Sequence, residues 1–276
     1  MTYKTILVHV DYGPRCKDRI EAAIRLSRDF DAHLVGVHAL TAQPLPGYVH
    51  AEGGVELARA YERTRIALAQ QSESLFGNTV EAAGYGKAEF RAAKEDAAEA
   101  ITLNARYADL IVAGQPQSGD MTGVAADFIP RVLLSAGRPL LMIPYAGTFT
   151  GAYQHALVAW NGSREATRAV TDAVPLLARA ARVSIVVFNP AAHAHGDVPG
   201  ADIALWLARH GVNAQVMQEQ APDIDVGNLL LSRAADLDAQ LIVMGGYGHS
   251  RLTELVLGGV TRTLLESMTV PVLMSH

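Results

Sequence analysis

A cluster of glycines near the carboxyl end of the chain has the composition and spacing of an anion-binding loop. Gly245 and Gly248 follow an apolar run, and Gly258 and Gly259 begin a helical pattern further along the chain. Glycines let the backbone approach an oxyanion closely, and the free N–H groups and positive dipole end of a helix start point towards it. The pattern therefore predicts an anion site that is built mainly from backbone N–H groups.

The two common nucleotide-binding fingerprints are both missing from the sequence. It contains no G-x-G-x-x-G segment and no G-x-x-x-x-G-K-S/T segment. His249 and Arg251, in the glycine loop itself, are the best candidates for side chains that contact the anion. A polar loop that faces solvent explains these two residues equally well.

Other residues with reactive or metal-binding side chains offer weaker evidence. Cys16 lies early in a predicted helix, where packing is a better explanation than a reactive thiolate. His193 and His195 share a loop but have no clear third ligand, which favours solvated histidines over a metal site. Trp160 either packs on the end of the sheet or forms the wall of a pocket. No set of residues has the context of a catalytic triad or a metal-ligand helix.

The elements that must position the glycine loop occur twice in the chain. Residues 6–13 are echoed by residues 156–163, at an offset of 150, and residues 109–114 by residues 240–245, at an offset of 131. A third pair, 138–142 and 270–274, has an offset of 132. The first copy therefore has about 19 extra residues, which we place in the long helical pattern of residues 51–76.

Within each copy, apolar runs alternate with amphipathic segments, which is typical of βαβ crossovers and a parallel sheet. The pattern predicts strands over residues 4–11, 33–40, 87–93, 109–114 and 139–144, with helices over 15–30, 52–76, 95–106 and 125–136. In the second copy it predicts strands over 155–160, 182–189, 213–219, 240–245 and 271–275, with helices over 164–180, 199–210, 225–237 and 258–268. We predict two tandem α/β domains, residues 1–146 and 151–276.

Composition narrows the possible partners. The 276 residues carry 23 basic and 28 acidic side chains, a formal net charge of −5, which gives no basic surface for nucleic acid. The single cysteine excludes an intramolecular disulfide and suits a reducing compartment. No apolar run approaches the ~20 residues of a membrane span. We expect a soluble, cytoplasmic protein without a membrane partner.

The order G-x2-G-x9-G, followed by Gly259-Val260-Thr261 and a Val-Pro-Val-Leu strand, resembles the nucleotide-binding motif of the universal stress protein family. The resemblance extends over both copies, so the chain is similar to a tandem universal stress protein. It implies five-stranded open parallel sheets with helices on both faces, of the adenine nucleotide alpha hydrolase type. It also implies binding of ATP or another adenine nucleotide, with or without Mg²⁺.

The resemblance assigns a role to eleven residues of the second copy. It places the phosphates at Gly245, Gly248, Gly258, Gly259, Val260 and Thr261, and the ribose and adenine at Asn161, Gly162, Ser163, Val187 and Phe188. Two residues depart from the family pattern. Asn161 replaces an aspartate, and Gly259 replaces a serine or threonine whose hydroxyl would contact phosphate. The backbone N–H of Gly259 remains, so we expect weakened rather than abolished binding.

The first copy keeps the aspartate, as Asp11, but loses the glycines. Gln117 stands where the second glycine belongs, and Asp127 and Phe128 occupy the place of Gly258 and Gly259. A carboxylate at a helix start competes with phosphate for the same dipole. We therefore expect no triphosphate in this half, and we interpret Asp11 as a turn or capping residue, with a ligand role as the alternative.

Two classes of function follow from these patterns. The favoured one is a stress-response regulatory protein that senses an adenine nucleotide with its C-terminal half. The alternative is a protein-interaction or chaperone-like scaffold with vestigial sites, and a slow ATPase is the most enzymatic activity we expect. The resemblance also implies that the fifth strands, Leu140–Pro144 and Val272–Ser275, pair within the chain as a pseudo-dimer. A homodimer of whole chains and unidentified protein partners remain open.

Overall fold

The structure is a computed structural model that describes residues 2–39, 54–116, 127–147, 149, 153–190, 198–220, 224–247 and 259–276. The first half contains, in chain order, β1 (Thr5–His9), α1 (Cys16–Phe30), β2 (His33–Ala39), α2 (Gly54–Ala82), β3 (Ala88–Ala93), α3 (Ala97–Ala105), β4 (Leu110–Gly114), α4 (Phe128–Ser135) and β5 (Leu140–Ile143). The second half contains β6 (His155–Ala159), α5 (Arg164–Leu177), β7 (Arg182–Phe188), α6 (Ala201–Arg209), β8 (Ala214–Glu219), α7 (Val226–Asp236), β9 (Leu241–Gly245), α8 (Gly259–Ser267) and β10 (Val272–Ser275). Every predicted helix and strand is present, and most ends agree to within two or three residues.

The ten strands of the described residues belong to one sheet, in the order β3-β2-β1-β4-β5-β10-β9-β6-β7-β8. Neighbouring strands are parallel except at the centre, where β5 and β10 are antiparallel and Leu141 pairs with Leu273. The predicted intramolecular pairing of the two fifth strands is therefore confirmed. The expected pair of five-stranded sheets is joined into a single open α/β sheet.

Strand residues alternate between two cores because successive side chains of a strand point to opposite faces. Ile6 and Val8 belong to one core, beneath α1, α2, α5 and α6. Leu7 belongs to the other core, beneath α3, α4, α7 and α8. Burial of the sheet on both faces explains why its strands are nearly continuous apolar runs.

The strand registers confirm the internal repeat. Ile6 pairs with Leu110 in the first half, as Ala156 pairs with Leu241 in the second, which reproduces the offsets of 150 and 131. The extra length of the first half lies between β2 and β3, where α2 has 29 residues and its counterpart α6 has 9. No helix among the described residues is long and apolar enough to cross a membrane.

Candidate functional site

The topology creates a cleft at the carboxyl ends of β6 and β9. These strands are neighbours, but the chain leaves β6 towards β7 on one side and leaves β9 towards β10 on the other. Ligands of open α/β sheets bind at such a switch point. A cavity of about 160 Å³ lies here, bounded by the ends of β6, β7 and β9 and by the first turns of α7 and α8.

The structure brings most of the predicted site residues together around this cavity. Seven of them line it: Asn161, Ser163, Phe188, Gly245, Gly259, Val260 and Thr261. Val187 does not, because its side chain faces the opposite core and is fully buried there, so its predicted ligand contact is not made by the side chain. Gly162 is beside the cavity without lining it. Gly248, Gly258, His249 and Arg251 lie outside the described residues, as do Gln117, His193 and His195.

The turn after β6 is organised by its own polar side chains. Oδ1 of Asn161 accepts a hydrogen bond from the Ser163 N–H at 3.1 Å, and Gly162 between them has a φ of +72°. Ser163 caps α5, because its Oγ accepts a hydrogen bond from the Ala166 N–H at 3.1 Å. The amide NH₂ of Asn161 can donate a hydrogen bond to a ligand.

Gly245 is required by close packing between β9 and the start of α5. A Cβ atom at this position would lie 2.5 Å from the Ala166 nitrogen and 2.6 Å from the carbonyl carbon of Glu165. Both are backbone atoms and cannot rotate away. The glycine therefore lets α5 approach the strand end and sets the width of the cleft.

The first turn of α8 supplies the polar end of the cavity. Gly259, Val260 and Thr261 line it, and Thr261 is otherwise buried. The N–H groups of a first helical turn have no partner within the helix, so they can bind an anion. The backbone φ of Gly259 is not in the left-handed region. A Cβ atom placed on Gly259 would have Oδ1 of Asp225 as its nearest neighbour, at 4.0 Å.

Much of the remaining cavity wall is apolar and aromatic, a feature that the sequence reasoning largely missed. Trp160, left open between packing and pocket wall, lines the cavity together with Ala159, Val226, Leu230, Met244 and Tyr247. Tyr247 has a left-handed φ of 60°, and burial raises its pKa to about 12. The detectable signal was the position of these residues at or just after the ends of β6 and β9, or in the first two turns of α7.

The equivalent place in the first half is filled by side chains. The strand registers align His9 with Ala159, and the His9 ring packs against Phe128, in the first turn of α4, with ring centroids 4.8 Å apart. The guanidinium of Arg19 lies against Gly114, so close that a Cβ there would be 2.4 Å from Nη1. A separate cavity of about 40 Å³ lies nearby, between the start of α1 and the ends of β4 and β5.

Asp11 holds the Arg19 guanidinium in this position. Its Oδ1 accepts a hydrogen bond from the Gly13 N–H at 2.9 Å, which confirms the predicted turn role, and its Oδ2 lies 2.8 Å from Nη2 of Arg19. Nε of Arg19 also donates to the His9 carbonyl at 2.7 Å. Burial alone would raise the pKa of Asp11, but the Arg19 charge, the His9 ring and the hydrogen bonds from Arg19 and Gly13 together outweigh burial and lower that pKa to about 2. Sequence reasoning missed Arg19, because nothing in its spacing reveals a buried partner.

One further candidate, Cys16, has a structural explanation. Cys16 is fully buried, and burial raises the pKa of its thiol, so the predicted packing role fits better than a reactive thiolate. Among the described residues, no three histidine, cysteine, aspartate or glutamate side chains are grouped as metal ligands.

The fold and the switch-point cleft place the chain among open-sheet α/β proteins with two similar halves. The sequence model of the universal stress protein family matches residues 2–144 and 223–276, and the chain belongs to this family. No curated protein matches the chain.

Solved structures agree with this fold. A universal stress protein from Archaeoglobus fulgidus DSM 4304 has a TM-score of 0.73 and 16% identity, over 98% of this chain and 97% of that one. The functionally unknown protein PA1789 from Pseudomonas aeruginosa PAO1 has a TM-score of 0.61 and 15% identity, over 98% and 92%. A universal stress protein from Archaeoglobus fulgidus in complex with dAMP aligns over 52% of this chain and 99% of that one, with a TM-score of 0.36 and 21% identity.

Proposed function

We propose that the chain is a stress-response regulatory protein that binds an adenine nucleotide in its C-terminal half, residues 151–276. In this proposal the N-terminal half, residues 1–146, is a partner that binds no nucleotide. The observation that carries it is the cavity of about 160 Å³ at the switch point of the second half, where the first half has the His9–Phe128 ring contact instead.

The C-terminal cavity has the features that a nucleotide requires. Trp160 and Phe188 offer aromatic and apolar surface to a planar base, and the Asn161 amide is placed to donate to a ribose hydroxyl. The first-turn N–H groups of Val260 and Thr261 are positioned for a phosphate oxygen. An adenine nucleotide joins these three chemistries in one molecule.

Equilibrium dialysis of the purified protein against labelled ATP, AMP and cAMP tests the proposal. We expect saturable binding of at least one of them at one site per chain. Ala159→Leu, which fills the cavity from the end of β6, should weaken that binding at least about tenfold, because base and side chain would overlap. Absence of saturable binding at millimolar nucleotide would contradict the proposed function.

A matched variant separates loss of the cavity from loss of the fold. Ala204→Leu adds the same side chain at a partly buried alanine of the same half, on the opposite face of the sheet. It should leave nucleotide binding unchanged. Equal loss of binding in both variants would show that general destabilisation, not occupation of the cavity, caused the effect.

A further inference from the structure

The described walls of the C-terminal cavity carry no lysine or arginine. Its surface is mainly apolar, and its polar contributions come from Asn161, Ser163, Thr261 and the start of α8. Binding free energy in such a site comes chiefly from burial of the base and sugar. A triphosphate would have to be held by one helix start, without a cation from these walls.

A carboxylate stands beside that helix start. Asp225 precedes α7, and its Oδ1 is 4.0 Å from the position of a Cβ on Gly259, the first residue of α8. Its Oδ2 accepts hydrogen bonds from the Asn228 N–H at 2.9 Å and from the Thr263 hydroxyl at 3.3 Å. The side chain is thus fixed at the end of the cavity where phosphate groups would lie.

The first half shows how the same carboxylate can be neutralised. Asp96 is the equivalent cap of α3, and Nη2 of Arg131, from α4, donates to it at 2.9 Å. In the second half the side chain that reaches the carboxylate from α8 is the Thr263 hydroxyl, which brings no charge. None of the described lysines or arginines forms an ion pair with Asp225, whose described partners are the Asn228 N–H and the Thr263 hydroxyl.

We infer that Asp225 makes the site select an adenine nucleoside or monophosphate over a triphosphate. This inference rests on the proposed function and narrows its ligand class. Each phosphate added beyond the first brings negative charge towards a fixed carboxylate without gaining a cation from the described walls. Affinity should therefore be highest for adenosine or AMP, lower for ADP and lowest for ATP. A site built for triphosphate would show the reverse order.

The expected size of the effect follows from Coulomb's law at a solvent-exposed position. At a separation of about 5 Å in water, repulsion between two unit charges weakens binding about fourfold. A triphosphate should therefore bind at least about tenfold more weakly than AMP. High salt should narrow the difference, because screening is strong at an exposed carboxylate.

The decisive variant is Asp225→Asn, which removes the charge and keeps the cap. Asparagine is as good a helix cap as aspartate, and its Oδ1 still accepts a hydrogen bond from the Asn228 N–H. Dissociation constants for adenosine, AMP and ATP are measured by calorimetry at low and high salt, in EDTA and in Mg²⁺. Asp225→Asn should strengthen ATP binding about five- to tenfold and change adenosine binding less than twofold.

Asp202→Asn is the matched control, because Asp202 is an exposed aspartate in the first turn of α6, on the other face of the sheet. It should leave all three dissociation constants unchanged. Tighter binding of ATP than of AMP by the unaltered protein would overturn the inference while leaving the proposed function standing. Weaker Mg²⁺-ATP binding by Asp225→Asn would also overturn it, since Asp225 would then help to hold the metal. Failure of all three ligands to bind the unaltered protein would overturn the proposed function and this inference together.

Discussion

At the scale of single residues, the two halves differ most at the end of their first strands. Asp11 and Asn161 make the same turn, each accepting a hydrogen bond from the N–H two residues later. Only Asp11 also pairs with a buried arginine, Arg19. The aspartate that sequence resemblance linked to ligand binding is therefore used here for internal charge balance, and Asn161 is free of that constraint.

Asp11→Asn should destabilise the protein strongly, because it leaves the Arg19 guanidinium buried without a carboxylate. Removing one partner of a buried ion pair costs about 3–5 kcal/mol. Asn161→Asp, at an exposed position with no buried cation, should change the free energy of unfolding by less than about 0.5 kcal/mol. Urea denaturation at pH 7 measures both, and equal effects of the two substitutions would contradict this account.

The pH dependence of the same pair has a definite sign. The pKa of Asp11 is lowered to about 2 in the folded state, so its contribution to stability is present above the ordinary aspartate pKa near 4. It is lost as the pH falls through about 2. The difference in stability between the unaltered protein and Asp11→Asn should therefore be constant from pH 7 to about pH 5 and shrink at lower pH.

At the scale of elements, the cleft depends on how closely α5 approaches β9. Gly245→Ala would drive a Cβ atom into the backbone of Glu165 and Ala166, so α5 must shift. We expect destabilisation of about 1–3 kcal/mol, as for other overpacking substitutions, together with weaker nucleotide binding. The control is Gly77→Ala in α2, where a Cβ has nothing within 4 Å and should stabilise the helix by about 0.5–1 kcal/mol. Thermal unfolding measures the change in stability, and dialysis measures the change in nucleotide binding. If Gly245→Ala changed neither, the packing argument would be disproved.

The elements themselves were predictable because their hydrophobic periods are strong and the same order occurs twice. The largest error is at the end of α2, predicted at residue 76 but observed at Ala82. Gly77 lies inside this helix, where the packing of Phe76 and Val80 against the core outweighs the low helix propensity of glycine. Local sequence does not contain that tertiary contribution.

The candidate site was predictable in its backbone and not in its side-chain packing. Glycine spacing located the strand end and the helix start, including Gly245 and Thr261. The contacts of Arg19 with Gly114 and of Phe128 with His9 in the first half join residues distant in sequence, and spacing along the chain does not encode these contacts. The charge contrast between Asp96 and Asp225 likewise depends on which side chain of the next helix reaches each carboxylate.

At the scale of the whole molecule, the central β5–β10 pair makes the two halves share one sheet. Leu141 and Leu273 are fully buried in this junction. The Gln115 side chain also crosses between the halves, donating to the Leu265 carbonyl at 2.9 Å. Such a junction should couple the unfolding of the halves, because neither can open this edge without exposing apolar strands.

A mutation in one half should therefore destabilise the other by the same amount. Leu34→Ala, at a fully buried residue of β2, should lower stability by about 2–5 kcal/mol. Both tryptophans, Trp160 and Trp206, lie in the second half, so fluorescence reports on that half alone, whereas far-UV circular dichroism reports on both. If the shared sheet unfolds as one unit, the two denaturation midpoints coincide in the unaltered protein and shift together in Leu34→Ala. A fluorescence midpoint that stays in place while the dichroism curve splits into two transitions would show that the halves unfold independently despite their common sheet.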